Sequence, residues 1–279
     1  MTSHDVVSRC RRLLGTRKIG HAGTLDPMAT GVLVLGVERA TKMLGLLSLT
    51  TKSYDATIRL GRTTTTDDAE GEVLSTASAA HVADEAVAAG VAALTGDIQQ
   101  VPATVSAIKV DGKRAYARHR AGEEVRLAAR PVTVSRFDVL ARRDEGELVD
   151  LDVTVECSSG TYIRALARDL GADLGVGGHL TALRRTRVGP FTLAHARTLP
   201  DLADDPAVSL DLDAAAAVAF ASRVVDDTEA ETLRNGRWLE PAGMPDTYAA
   251  VTATGQVIAL LQESGRRAAP VFVVRPKGL

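Results

Sequence analysis

Two stretches of strict alternation constrain the fold of this chain most. Residues 149–157 place Val, Leu, Val, Val and Cys at every second position, with Asp, Asp, Thr and Glu between them. Residues 54–60 alternate in the same way, from Tyr54 to Leu60. Because successive side chains of a strand point to opposite faces, each segment is typical of a strand with one face on a core and one in water.

Apolar residues at helical spacing predict helices between and after these strands. Gly15 ends the first of them, and the helix that follows Ser158-Ser159-Gly160-Thr161 carries Arg164 and Arg168 on the face opposite its apolar stripe. We expect helices at 6–14, 40–47, 82–94 and 163–174, a continuous buried strand at 32–37, and polar loops at 17–31 and 62–72.

The composition changes to Asp, Pro and Ala between residues 200 and 216, which predicts a domain linker. The tail beyond it begins with a helix, for which we expect a capping box of Thr228 and Glu231 and an end at Gly236. Short strands are expected at 248–253, 256–262 and 271–275, separated by glycine turns. The tail therefore resembles a small β-barrel-like module.

Charge is distributed unevenly, although the 279 residues carry a formal net charge of only −2. Residues 109–143 hold ten Lys/Arg against four Asp/Glu, and residues 201–246 hold three against eleven. The local basic excess suits an RNA or DNA partner, although a single basic run is more often a solvated face. Cys10 and Cys157 are too few for a disulfide framework, and no cysteine or histidine cluster has metal-ligand spacing, so we expect neither disulfide nor metal.

No apolar run is long enough to span a membrane, and the opening residues lack the features of a signal peptide. We therefore expect a cytoplasmic protein without a membrane partner.

The most informative loop is Gly20-His21-Ala22-Gly23-Thr24-Leu25-Asp26-Pro27-Met28-Ala29-Thr30-Gly31. Its glycines permit tight turns and close backbone approach, and Pro27 biases Asp26 toward an extended conformation. An isolated Asp-Pro pair is usually only a turn, whereas this whole run is built to present a carboxylate.

The run GHAGTLDPMATGVLVLGVERATK resembles the catalytic motif of the pseudouridine synthases, in particular the bacterial tRNA pseudouridine synthase B family. KSYDATIRLG, VSAIKVDGKRAYARHRAG and CSSGTYIRALARDLG resemble further blocks of that family, in order and at fitting separations. The resemblance implies an α+β pseudouridine synthase fold with a mixed, largely antiparallel sheet. It also implies a catalytic domain at 1–210 with a basic RNA-gripping arm at about 104–143, and a PUA-like RNA-binding domain at 220–279.

The resemblance further implies isomerisation of one uridine in the T-loop of tRNA. Moving uracil from N1 to C5 attachment changes no oxidation state and adds no group, so no cofactor is expected. The family assigns to Asp26 the carboxylate that adds to the nucleotide or stabilises a separated sugar intermediate. Arg164 is the family's candidate cation, which would keep Asp26 ionised and aimed. Without the resemblance, Arg164 would be interpreted as a solvated helix arginine.

The target base lies inside an RNA loop, so the enzyme must flip it into a pocket. Tyr54 matches the family's stacking residue, and its phenol is a candidate proton shuttle at C5, although an isolated tyrosine in such a strand is more often core. His21 resembles the residue that fills the gap left by the flipped base, and Tyr162 and Leu183 resemble pocket walls. Phosphate contacts are expected from the basic residues Lys109, Lys113, Arg114, Arg118 and Arg120.

Two other functions stay open from the sequence. The chain could act mainly as a folding chaperone for tRNA, or as a synthase of the same fold on ribosomal RNA or within a guide-RNA particle. The intact Asp26, Tyr54 and Arg164 argue against the first, and the short tail with its continuous basic arm argues against the second. We expect a monomer that needs no obligate protein partner.

One departure from the family lies at the start of the chain. Members usually have a strand and a Lys-Pro-x-Gly segment before the residues that match Met1-Thr2-Ser3-His4. We expect either a misassigned start or a truncated chain. If the protein does begin at Met1, it lacks one strand and a loop beside the site, which would weaken folding without changing the function.

Overall fold

The chain packs into two compact units in this computed structural model, which describes residues 1–47, 50–103 and 127–278, and only the backbone of 109–110 and 113–114. Each unit combines segments that lie far apart in the sequence. The first consists of Met1, Leu25–Val32 and Leu49–Val188, and the second of Thr2–Thr24, Leu33–Ser48 and Gly189–Leu279.

An antiparallel sheet forms the centre of the first unit. Numbered along the whole chain, the strands of this unit are β2 (Thr30–Gly31), β4 (Lys52–Leu60), β5 (Arg62–Thr64), β6 (Val73–Thr76), β7 (Gly96–Gln100), β8 (Lys109–Val110), β9 (Lys113–Arg114), β10 (Arg130–Glu145), β11 (Leu148–Cys157) and β12 (Gly178–Val188). Five of them follow one another across the sheet in the order β12, β4, β11, β10, β7, and the short β2 pairs in parallel with β12.

The alternating segments occupy the middle of this sheet, as the sequence predicts. Tyr54, Ala56, Ile58 and Leu60 of β4 are all buried, and the apolar positions of β11 lie in the same core. Two helices, α3 (Asp84–Ala93) and α4 (Ile163–Asp173), contribute Val87, Val91, Leu166 and Leu170 to that core. Both helices were predicted from their apolar stripes. The predicted α+β fold with a largely antiparallel sheet is confirmed.

The second unit contains short helices and a four-stranded sheet. Its sheet runs in the order β14, β15, β16, β17, with β14 and β15 parallel and the other pairs antiparallel. Its elements are α1 (Ser3–Leu13), β1 (Ile19–His21), β3 (Leu35–Val37), a 3-10 helix (Glu38–Met43), α2 (Leu44–Leu47), β13 (Phe191–Thr192), a 3-10 helix (Leu193–His195), α5 (Leu199–Asp204), α6 (Leu212–Ala219), β14 (Ser222–Val224), α7 (Asp227–Arg234), β15 (Tyr248–Val251), β16 (Val257–Ser264) and β17 (Arg267–Val273).

Several local predictions are wrong in detail. The expected loop at 17–31 contains β1 and β2, the expected loop at 62–72 begins with β5, and the strand expected at 32–37 is confined to β3. The segment interpreted as a linker at 200–216 forms most of α5 and the first part of α6, and Ala216 is fully buried. An apolar alanine face can be buried as well as a leucine face, which a composition shift does not reveal.

The tail and the arm also need correction. The capping box of α7 is formed by Asp226 and Glu229, two residues earlier than expected. The part of the predicted basic arm from residue 130 onward lies in β10 and belongs to the central sheet. Within the arm, β8 and β9 pair with each other, and residues 111–112 between them lie outside the described residues. No helix in the described part of the chain is long and apolar enough to cross a membrane.

Candidate active site

Asp26 and Arg164 meet in a two-pronged ion pair in the first unit. Arg164 Nε donates to Asp26 Oδ2 at 3.0 Å, and Arg164 Nη2 donates to Asp26 Oδ1 at 2.9 Å. The Arg164 side chain is 4% exposed, whereas that of Asp26 is 31% exposed. A guanidinium that binds both carboxylate oxygens fixes their plane as well as their charge. The carboxylate is therefore oriented by the protein and still accessible.

Arg164 is held from the other side by the loop after β5. Its Nη1 donates to the Thr66 carbonyl at 2.9 Å, and its Nε lies 3.5 Å from Asp68 Oδ2. Asp68 is itself buried and accepts from the Thr66 hydroxyl and the Glu70 backbone amide. Burying an arginine is costly unless it is paired and hydrogen-bonded, and these contacts meet that requirement.

The loop that carries Asp26 is attached to the sheet at its far end. The Val32 amide donates to the Arg185 carbonyl at 2.8 Å, and the Arg185 Nε donates to the Val32 carbonyl at 2.7 Å. Gly31 has φ +96°, and a Cβ there would overlap the Arg185 carbonyl oxygen. Met28 and Ala29 pack against the core. Glycine is thus required for the close approach that the sequence predicts for this loop.

Tyr54 lies opposite Arg185 in the pairing of β4 with β12. Its side chain is buried in the core, as the structural alternative predicted. Burial raises the pKa of Tyr54 to about 12, and a hydrogen bond from Arg185 opposes that rise, while the negative charge of Asp26 adds to it. A cation beside the phenol is therefore Arg185.

A second buried cation lies close to this tyrosine. Burial lowers the pKa of Lys52 on β4, and the positive charge of Arg185 lowers it further. Arg185 is 1% exposed. Electrostatic interactions are stronger in such surroundings than at the surface, so the positive charge of Arg185 offsets part of the effect of burial on the pKa of Tyr54.

The remaining predicted residues are distributed over both units. Tyr162 immediately precedes α4 and exchanges two hydrogen bonds with the Gln100 side chain, through its amide at 2.8 Å and its carbonyl at 3.1 Å. Leu183 is buried in the same core as Tyr54. His21 ends β1 in the second unit and is half-buried. Lys109, Lys113 and Arg114 are described only by their backbone in β8 and β9, and Arg118 and Arg120 lie outside the described residues.

Three residues of the site were not predicted from the sequence. Asp68 and Thr66 fell in a segment interpreted as a polar loop. Arg185 lies in β12 within Arg184-Arg185-Thr186-Arg187, a run of three arginines and one threonine. Arg185 points into the core while Arg184 is exposed. Strand alternation alone signals this, because Arg185 shares its face with the buried Leu183.

Family models match most of this chain. The TruB family pseudouridylate synthase N-terminal domain matches residues 11–163, and two C-terminal domain families, "tRNA pseudouridylate synthase B C-terminal domain" and "tRNA Pseudouridine synthase II, C terminal", match residues 164–217 and 220–275.

Two relatives are named tRNA pseudouridine synthase B. The protein of Nocardia farcinica is 77% identical over 279 residues, which cover 100% of this chain and 91% of that protein. The protein of Rhodococcus jostii is 71% identical over 280 residues, with coverage of 100% and 92%.

Solved structures show the same fold. A chain from a Cbf5-Nop10-Gar1 complex aligns with a TM-score of 0.72 at 26% identity, covering 99% of this chain and 82% of that one. A chain from an H/ACA RNP bound to a substrate RNA containing 2'-deoxyuridine aligns with a TM-score of 0.71 at 24% identity, with coverage of 100% and 83%. The family models cover most of the sequence, and this chain belongs to the TruB family of pseudouridylate synthases.

Proposed function

We propose that this protein is a tRNA pseudouridine synthase that isomerises one uridine in the T-loop. Its relatives of 77% and 71% identity carry the name tRNA pseudouridine synthase B. The observation that carries the proposal is the oriented, accessible Asp26 carboxylate on the buried Arg164. Such a pair supplies a carboxylate of fixed orientation that can act as a nucleophile on a bound nucleotide.

In the proposed reaction Asp26 is the nucleophile. A carboxylate oxygen bonds to C1′ of the ribose as the N1–C1′ bond breaks, and the electron pair of that bond stays on the uracil. The base then turns, and C5 displaces the carboxylate from C1′. The proton on C5 leaves and N1 gains one, so atoms and charge balance without a co-reactant. Arg164 positions Asp26 through both oxygens during these steps.

We assign to Tyr54 the removal of the C5 proton and the stacking of the flipped base. Its phenol is neutral at physiological pH, because burial raises its pKa to about 12. Proton transfer through it therefore begins when the phenol gives its proton to N1 of the detached uracil. The Arg185 guanidinium stabilises the resulting phenolate, which then takes the proton from C5. Leu183 and Tyr162 are proposed as pocket walls, and His21 as the residue that occupies the place of the flipped base.

RNA binding beyond the pocket is assigned to two regions. The basic residues Lys109, Lys113, Arg114, Arg118 and Arg120 are proposed to contact phosphates of the T stem-loop. The module from residue 220 onward is proposed to be a PUA-like RNA-binding domain. We further propose that the protein acts as a monomer in the cytoplasm, because its substrate is made and used there and Asp26, Tyr54, Arg164 and Arg185 all come from one unit of one chain.

The proposal is tested by mapping pseudouridine at single-nucleotide resolution in tRNA from cells with and without this gene. We expect the T-loop uridine to be converted only in the presence of the gene, and the purified protein to convert it in an unmodified tRNA transcript. Conversion that persists without the gene, together with a purified protein that leaves the transcript unchanged, would refute the proposed activity. A chaperone without catalysis would give that second result while still binding tRNA.

A further inference from the structure

An exposed tryptophan marks a second surface of the C-terminal module. Trp238 is the single tryptophan of the chain and is 44% exposed. The Arg267 guanidinium carbon lies over its ring, 5.0 Å from the ring centroid. In a chain with only 3% aromatic residues, Trp238 is the one aromatic side chain among the described residues that is exposed.

The fold holds this tryptophan in place through a backbone bridge. Leu239 and Ala268 pair in antiparallel fashion, with the Leu239 amide donating at 3.0 Å and the Ala268 amide at 2.8 Å. Both residues are buried in the same core cluster. Because neighbouring side chains of extended backbone point to opposite sides, Trp238 and Arg267 are turned outward together. The ring is thus positioned before any partner arrives.

Four arginines lie on the two segments that this bridge joins. Arg234 ends α7 and Arg237 follows Gly236, while Arg266 lies in the turn between β16 and β17 and Arg267 begins β17. Residues 234–239 and 264–268 together contain four arginines and no acidic residue. The surface is therefore locally positive in a module that is otherwise rich in acids.

Three other arginines of the same unit each have a carboxylate partner. Arg223, Arg275 and Arg197 form ion pairs with Glu229, Asp213 and Asp205, respectively. Within the part of the chain that the structure describes, none of the four arginines beside Trp238 forms an ion pair. The guanidinium groups of these four arginines are therefore available to an anionic partner.

We propose that Trp238 and the arginines 234, 237, 266 and 267 form a second RNA contact, which stacks an unpaired nucleotide of tRNA outside the T stem-loop. Aromatic faces stack on unpaired bases, and arginine binds the flanking phosphates. Arg267 makes a cation–π contact with the ring, and the exposed part of the ring is available to stack on a base. This surface, the Trp238 surface, rests on the proposed tRNA substrate but not on the chemistry at Asp26.

The test compares full-length tRNA with an isolated T stem-loop hairpin, with Trp238→Ala, Trp238→Phe and Val224→Ala as variants. Val224 is a matched control because it is 66% exposed and lies in the same C-terminal module. We expect Trp238→Ala to weaken binding of full-length tRNA at least about fivefold and to leave hairpin binding unchanged, since stacking is lost only where the extra nucleotide exists. Trp238→Phe should restore most of the affinity, and Val224→Ala should bind as the wild type does.

Because Trp238 is the single tryptophan, its fluorescence reports the contact directly in the unmodified protein. We expect full-length tRNA to quench the emission and the hairpin to leave it unchanged. Replacing Arg237 and Arg266 by Gln should lower the slope of log affinity against log salt by about 0.7 for each lost phosphate contact. Wild-type affinity of Trp238→Ala for full-length tRNA, or equal weakening for the hairpin, would overturn the proposal.

Failure of this proposal and failure of the proposed function give different results. Conversion of the hairpin uridine measures the chemistry at Asp26 without the second contact. Normal conversion of the hairpin, together with an affinity for full-length tRNA that does not depend on Trp238, overturns only the second contact. Circular dichroism melting of each variant shows that it is folded before its binding is compared.

Discussion

Arg164 and Arg267 are both arginines beside a proposed RNA contact, yet their surroundings differ in every respect. Arg164 is buried and bonded to Asp26, the Thr66 carbonyl and Asp68, whereas Arg267 is exposed and lies over Trp238. The contacts of Arg164 form when the protein folds, so the free energy of burying this charge is spent before RNA binds. The contacts of Arg267 are completed by the proposed RNA partner. Substitutions around Arg164 should therefore change the rate of reaction, and substitutions around Arg267 should change the affinity for tRNA.

The largest expected effect is that of Asp26→Asn on the rate. The amide keeps the shape of the carboxylate but is a poor nucleophile, so we expect single-turnover conversion to fall by at least about 10³-fold while the Kd for tRNA stays within about twofold. Asp55→Asn, at an exposed position on β4, is the matched control and should be active. Residual activity within tenfold of wild type would remove Asp26 from the mechanism.

Arg164→Lys tests whether orientation matters beyond charge. Lysine keeps the positive charge but cannot hold both oxygens of Asp26 and the Thr66 carbonyl together, so we expect the single-turnover rate to fall about 10²-fold. Arg164→Met also leaves Asp68 buried without a cation and should destabilise the fold by roughly 3–5 kcal/mol in urea unfolding. An Arg164→Lys rate equal to wild type would reduce Arg164 to a charge partner.

Tyr54→Phe separates proton transfer from stacking. The ring stays and the hydroxyl is lost, so proton transfer at C5 predicts a fall of about 10²-fold in the single-turnover rate with unchanged Kd. Arg185→Lys should reproduce part of that fall, and its effect should shrink in the Tyr54→Phe background because its partner hydroxyl is then gone. Turnover by Tyr54→Phe at the wild-type rate would leave stacking as its whole role.

The same tyrosine predicts a pH dependence of stability. Its pKa is raised to about 12 in the folded protein, so the unfolded chain loses this proton at lower pH than the folded one. Stability from Tyr54 is present below about pH 10 and is lost as the pH rises toward 12, by about 2 kcal/mol. Tyr54→Phe should therefore lose less stability than wild type between pH 9 and 11 in urea unfolding. Parallel losses would show that the phenol is not the responsible group.

The smallest expected effect concerns the basic arm, where substitutions should change tRNA binding and leave the rate unchanged. Charge reversal at Lys113 and Arg118 should weaken tRNA binding about tenfold at physiological salt and flatten the salt dependence, because phosphate contacts release counterions. The rate at saturating tRNA should stay near wild type. A slope of log affinity against log salt equal to that of wild type would assign the arm to solubility.

The sequence predicts those parts of the molecule that repeat a period. The strands β4 and β11 and the helix α4 were correctly placed because burial on one face imposes alternation or helical spacing. The burial of Arg164 and Asp150 was not predicted, since each lies on a polar position and is buried only because Asp26 or Arg59 pairs with it. Pairing across about 90 or more residues has no local signature.

The wrong predictions share a physical cause. Alanine and aspartate at 200–216 read as a linker, yet Asp211 caps α6 and Asp213 holds Arg275 of the distant C-terminus. The division into units likewise joins the first helix to the last strands of the chain. Short helices gain their stability from tertiary packing more than from their own sequence, so only the folded chain reveals them.

Gly31 has a consequence for experiments that score every position of the chain by activity. It carries no functional group, yet its φ of +96° and its contact with the Arg185 backbone leave no room for a side chain. Even Gly31→Ala must displace the Asp26 loop from β12, and the carboxylate oxygens of Asp26 move with it. A mutational scan should therefore score this position among the most sensitive in the protein, and a screen for functional groups by chemical type alone would overlook it.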